Sequence, residues 1–200
     1  MLELQKSQLF ELVSPRLSSF EQSLSSNDSV VEWDDAETAL RAALYHLRHL
    51  SQSWSQVLSR EVYHLALGNL VDTIFTLLLD PIFAAKDITD AASRFLHSLF
   101  LDAARGCAEV FLVGESSTTH PAISPAETNQ QIKVAVKYSM LFEKLQCIGQ
   151  FMTMRLDDIT RGLEEGVFRS VTGKELTHLV TATYDESAKR NDLLKVLASR

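Results

Sequence analysis

The chain has 200 residues, of which 46% are apolar and 22% charged, with a net charge of −7 and a pI near 5.3. That composition is too apolar for a disordered chain, and the length suits one domain with a real core. An acidic chain lacks the basic field that phosphate backbones require, so no nucleic acid is expected among its partners.

Helical periodicity runs through most of the sequence. Leu9, Leu12, Leu17, Phe20 and Leu24 predict helix broken near Pro15, followed by a polar connector from Ser25 to Asp35. The opening MLELQKSQLFELV carries charges inside its apolar stretch and has no small-residue cleavage site, so it does not read as a signal peptide. Residues 1–34 are accordingly expected to be an N-terminal helical segment and connector, and residues 35–200 a C-terminal helical bundle.

Leu40, Leu44, Leu47, Leu50, Trp54 and Val57 recur at three- and four-residue spacing, predicting one buried stripe on a helix from about Asp35 to Leu58. The next helix, from about Arg60 to Leu79, is apolar nearly all round, with Val62, Leu65, Leu70, Ile74 and Leu77 on one side and Leu67, Val71, Phe75 and Leu78 on others. Such a helix belongs in the middle of a bundle. Asn69, Asp72, Asp80 and Pro81 interrupt the Leu65–Phe83 span, which therefore reads as core and not as a membrane crossing; no direct membrane insertion is expected. Asp80-Pro81 is expected to end or kink the helix.

A third helix is predicted from about Thr89 to Val113, with Asp87 or Thr89 as N-cap and Phe95, Leu96, Leu99, Phe100, Cys107, Val110 and Phe111 among its inward residues. Composition then shifts to GESSTTHPAISPAETNQQ, expected to be a flexible loop over residues 114–131. Ile132 to Val136 alternates and is compatible with a short extended stretch. Val134 to about Val167 carries the longest helical pattern, and Gly149 and Gly162 are the points where it would bend. Gly162 and Gly166 also suit a helix end. Thr172-Gly-Lys-Glu175 is a capping-box pattern opening a short helix, and Asp185 is the expected cap of a last helix holding Leu193, Leu194 and Leu197.

The search for chemistry yields no catalytic, cofactor or metal site. His46 and His49 share one helical face, and Glu37 and His64 are the nearest further ligands, but they complete no zinc spacing. Thr172-Gly173-Lys174 is not a phosphate loop, because Phe168 stands where that motif needs glycine and Glu175 where it needs Ser or Thr. The carboxylate pairs Asp34-Asp35, Asp157-Asp158 and Glu164-Glu165 point about 100° apart on a helix and do not converge. Cys107 and Cys147 stand alone on apolar faces and read as buried, reduced thiols. Met140, Met152 and Met154 read as core filling, with an adaptable binding groove as the other use of such a stripe.

Several words in helical order nevertheless carry a likeness. Tyr45 to Leu50 (YHLRHL), Trp54 to Leu58 (WSQVL), Tyr63, Ala66, Gly68 to Thr73 (GNLVDT), Asp87 to Asp90, Leu96 to Leu99, and the ending Lys174 to Val180, Tyr184 and Lys189 to Leu197 together resemble the C-terminal region of the Zeste-white-ten family. Its yeast tethering counterpart is called Dsl-one. The resemblance covers about Asp35 to Arg200 and implies an all-α, elongated bundle of the multisubunit-tethering type. It implies a non-enzymatic subunit of a vesicle tether at the endoplasmic reticulum, acting in Golgi-to-ER retrograde transport. The subunit would be cytoplasmic, peripheral to that membrane, and in animals also present at kinetochores. Its C-terminal domain would dock onto an α-solenoid partner subunit, with SNARE proteins engaged indirectly; the resemblance brings no cofactor. Family chains are much longer, which implies a C-terminal portion or an unusually short relative. Another helical tether, of the exocyst or conserved-oligomeric-Golgi type, shares the architecture and differs in partner. Trp54 reads as a large core anchor and Gly68 as a point of close helix approach.

Ile74→Asp, in the all-apolar helix, is expected to unfold the chain. An unpaired buried charge costs several kcal/mol against a total stability of about 5–15 kcal/mol, and circular dichroism reads the loss directly.

Overall fold

The computed structural model describes residues 2–26, 30–111 and 125–198. Among them the chain is all-α, a helical bundle with no strand. The elements are α1 (Leu2–Leu17), the short α2 (Phe20–Ser23), α3 (Val30–Trp54), α4 (Arg60–Ala84), α5 (Asp90–Val110), α6 (Pro125–Tyr138), α7 (Phe142–Phe151), α8 (Leu156–Glu165), α9 (Gly173–Thr183) and α10 (Ala188–Ala198).

Helix α4 is the axis. It packs against α1, α2, α3, α6, α7 and α9, and Leu67, Leu70, Val71, Ile74, Phe75, Leu78 and Ile82 are all fully buried. The nearly all-round apolar pattern thus has its expected place in the centre. It is also long and apolar enough to span a membrane by length and composition, and here just over half of that stretch is buried against other helices. Val62 and Leu65 depart from the expected stripe: each is half exposed, because no described helix packs on the N-terminal outer edge of α4.

Prolines interrupt less than their chemistry suggests. α4 continues past Pro81 to Ala84, since Ile82 is buried and the Ala85 N–H closes back on the Pro81 carbonyl at 3.0 Å. α1 likewise runs through Pro15 and ends at Leu17, with Leu9, Val13 and Leu17 buried against α3 and α4. One lost amide donor per proline is outweighed by these apolar anchors. α3 begins at Val30, inside the stretch read as connector. Trp33 stacks on Phe95 of α5 with ring centroids 5.1 Å apart, which explains the early start. At its other end α3 stops at Trp54, so Trp54 is only half-buried and Val57 is 82% exposed.

The largest departure concerns the predicted long helix from Val134 to Val167, which is three helices. Residues 132–136 are helical within α6, as are 125–131 of the expected loop; its residues 114–124 lie outside the described residues. The first break, at Ser139–Leu141, is made by a side chain from α4. The Asp72 carboxylate accepts from the Ser139 hydroxyl at 2.6 Å, the Met140 N–H at 3.1 Å and the Leu141 N–H at 3.0 Å. It therefore caps the N-terminus of α7 from another helix, where a negative charge also meets the positive end of the helix dipole. One turn earlier on α4, Gly68 faces the Tyr138 carbonyl. A Cβ at Gly68 would overlap that oxygen and stand 2.6 Å from its carbon, so the expected close approach is real and only glycine admits it.

The second break lies at Met152–Arg155. Tyr184, at the end of α9, donates its hydroxyl to the Met154 carbonyl at 2.6 Å. Burial first, then the Asp90 and Asp158 carboxylates, push this phenol up to about 12, so it stays a donor. α8 ends on Gly166 in the left-handed conformation (φ 74°), where a glycine is needed. The capping box forms as expected: Thr172 Oγ1 accepts from the Glu175 N–H at 3.3 Å and Glu175 accepts from the Thr172 N–H at 2.9 Å. Thr89 caps α5 through the Ala92 N–H. Ser187, not Asp185, receives a first-turn amide of α10, from Arg190 at 3.2 Å.

Asp72→Ala leaves three donors without their acceptor and removes the α7 cap. A loss of about 2–4 kcal/mol is expected by urea denaturation. Gly68→Ala is expected to cost about 2–3 kcal/mol through overpacking against backbone that cannot yield. The two variants should couple when combined, since both act on one corner.

Candidate functional site

The structure separates the residues that came nearest to a metal set. His46, on α3, is half-buried with Nε2 3.1 Å from Gln5 Oε1 of α1; burial, then the neighbouring His49, holds its pKa below the ordinary value. His49 faces solvent. Glu37 pairs with Arg41 on its own helix. His64 lies on α4, inside a ring of aromatics, 5.1 Å from Tyr63, 6.1 Å from Phe111 and 4.9 Å from Tyr138. No three or more His, Cys, Asp or Glu residues stand close enough to hold a metal among the described residues.

The remaining polar groups hold seams between helices. His97 Nδ1 lies 2.8 Å from the Gly149 carbonyl, joining α5 to α7, and His178 Nε2 lies 3.3 Å from the Ile82 carbonyl, joining α9 to α4. Asp157 binds Lys189 through both oxygens at 2.9 and 2.8 Å, linking α8 to α10, so it is a paired charge at the surface. Cys107 and Cys147 are free and buried, and burial pushes both thiols up, which keeps them protonated. Lys144 of α7 meets Glu175 of α9 at 2.5 Å. Burial pushes the Glu175 carboxyl up, but the Lys144 ammonium and the Thr172 donors outweigh it and hold the pKa below the ordinary 4.5.

What the molecule offers outward is apolar surface set among acids. Met140 stands at the tip of the α6–α7 corner, 91% exposed, whereas Met152 is buried and Met154 half-buried; the methionines do not share one face. Tyr45 on α3 is exposed as well. A groove lies between α1 and α4. One hollow of about 370 Å³ is lined by Lys6, Ser7, Phe10, Glu11 and Thr73. A second, of about 350 Å³, is lined by Phe10, Ser14, Leu17, Glu21, Leu77 and Pro81 among others. Phe10 belongs to both and is 55% exposed. This groove was not anticipated from the sequence, although one signal was present: Phe10 stands beside, not on, the Leu9–Val13–Leu17 stripe that α1 buries.

Among the described residues the chain is an all-α bundle whose polar side chains hold helix seams and whose surface carries an apolar groove. Residues 38–197 match the ZW10 C-terminal helical domain, and the chain belongs to that family. This is the Zeste-white-ten likeness seen in the helix order. The chain is also 25% identical over 193 residues to the mouse (Mus musculus) centromere/kinetochore protein zw10 homolog, an alignment covering 94% of this chain and 23% of that protein. The chain thus spans less than a quarter of that relative's length.

Glu175→Gln tests the α7–α9 seam through pH. A carboxylate whose folded pKa is depressed contributes stability above about 4.5 and loses it as pH falls through the folded value. The variant is expected to be less stable by roughly 1 kcal/mol at pH 7, and the gap should close as the solution is acidified below pH ~4 in thermal melts.

Proposed function

We propose that this chain is the partner-docking helical domain of a non-enzymatic vesicle-tethering subunit. It acts in Golgi-to-ER retrograde transport by binding an α-solenoid subunit of the same complex. The observation that carries this reading is the family match over residues 38–197, nearly the whole of the bundle expected at 35–200. In this reading residues 1–34 are an added helical segment whose α1 clamps α3 and α4. The subunit sits in the cytoplasm, peripheral to the endoplasmic reticulum membrane, and meets SNARE proteins through its partners without entering the bilayer.

The described surface suits this role. Conformationally rigid docking needs a fixed scaffold, and α4 with its interhelical caps supplies one. Polar chemistry at the seams is spent on helix contacts, leaving outward apolar residues for a partner. A second reading, action at the kinetochore, is favoured by the mouse relative, named a centromere/kinetochore protein. The two readings are compatible, since one docking surface can serve two assemblies.

The reading is tested with the purified α-solenoid tether subunit from the same organism. Binding at or below tens of micromolar, with the chain shown to be folded, is the expected result. Folded chain that fails to bind at that concentration overturns it. Asp157→Lys, at an exposed position paired with Lys189, is expected to leave the helical spectrum unchanged and serves as the folded control.

A further inference from the structure

The groove between α1 and α4 has a shape and a charge that select one kind of occupant. Along α1 it runs from Lys6 to Leu17, about 16 Å at ~1.5 Å per residue or about three turns of a bound helix, and it reaches on to Glu21 of α2. Its apolar part is Phe10, Leu77, Pro81 and Ala84, with the buried Leu17 at its base. Its rim is acidic. Glu11, Glu21 and Asp80 line it and make no ion pair among the described residues, whereas the lining cation Lys6 is held by Glu3 at 3.0 Å.

Two prolines stand beside these residues. Pro81 has no N–H to give the Leu77 carbonyl, and both residues line the groove. Pro15 likewise withholds a donor from the carbonyl of Glu11, another lining residue. The site is therefore apolar along its length, with unpaired carboxylates at its edges. Anionic lipid and nucleic acid have the wrong sign. A second copy of this chain, at net charge −7, is also disfavoured.

We propose that this groove seats one amphipathic helix of a partner protein, apolar towards Phe10 and carrying lysines or arginines along its flanks. The fit is the helix-in-groove mode, in which apolar anchors at helical spacing supply area and rim charges supply orientation and selectivity. The identification of that helix with one in the tether's solenoid subunit rests on the proposed function; the groove's preference for a basic helix does not.

The test uses the full chain and two labelled synthetic helices of about 15 residues, long enough to span the groove. Both carry leucine at i, i+3, i+4 and i+7; one has lysine and the other glutamate at the flanking positions. Fluorescence anisotropy at ~0.15 M salt is expected to show the lysine helix binding at least about tenfold tighter. Phe10→Ser should weaken it by about tenfold. The triple variant Glu11→Lys, Glu21→Lys, Asp80→Lys, all at exposed positions, should reverse the preference towards the glutamate helix. Glu164→Lys with Glu165→Lys, exposed on α8, should leave it unchanged.

Equal binding of the two helices, an unreversed preference in the triple variant, or an equal effect of the α8 control overturns the proposal. The solenoid subunit then separates the two claims. If it binds the wild-type chain and the groove variants alike, the groove is not the docking site, though the tether reading survives. If the helix preference reverses as expected while the subunit does not bind at all, the groove stands and the tether reading fails.

Discussion

The structure depends on a single turn of α4. Gly68 admits the Tyr138 carbonyl, and Asp72, four residues on, takes the Ser139 hydroxyl and the Met140 and Leu141 amides. These two residues fix where α6 stops and in which direction α7 leaves. The rest of the packing follows from that direction. α7 then lies against α5, with Gly149 under Phe100, and its Lys144 reaches the Glu175 cap of α9. A carboxylate on the central helix is costly to bury alone; three donors converging on it turn that cost into specificity. The charge remains half-buried and reachable by solvent at its edge, so it is satisfied without being sealed in.

This arrangement explains why the all-α class and the central position of α4 were legible from spacing, while the path after Tyr138 was not. Periodicity sees only one helix at a time. From Val134 to Val167 the apolar phase continues across Ser139–Leu141, and no proline or glycine marks the turn. The breaker is 67 or more residues away in the chain, on a different helix. Gly68 was readable because a glycine inside an apolar helix has few other uses. Pro15 and Pro81 misled in the opposite direction: the local penalty was real, but Leu17 and Ile82, fully or nearly buried just beyond them, carried each helix through. Val57, Val62 and Leu65 have the right spacing for burial and lack a neighbour to bury them, which no pattern of one helix can reveal.

The candidate site shows the same division. His46, His49, Glu37 and His64 each have their own surroundings: Gln5, solvent, Arg41 and a group of aromatic rings. The groove, by contrast, is the product of two helices that the sequence gives no reason to join. Its residues come from α1 and α2, in the stretch expected to be an N-terminal helical segment and connector, and from the edge of α4 that carries Thr73, Leu77, Asp80 and Pro81. Only the packing of α1 across that edge makes a concavity of it.

That geometry also ties stability to recognition. α4 has one long strip not covered by its neighbours' side chains, and α1 covers it incompletely: Leu9, Val13 and Leu17 go down into the core, while Phe10 remains at the surface between them and the groove. A large aromatic held half out of water by a helix whose other face is anchored loses little conformational freedom when a partner covers it. The prolines act in the same place. Each withholds an amide from the carbonyl four residues before it, at Glu11 and at Leu77, and both of those residues line the groove. The features that make α1 and α4 imperfect helices are thus concentrated where the bundle has surface to offer, and the features that make them rigid lie on the opposite side.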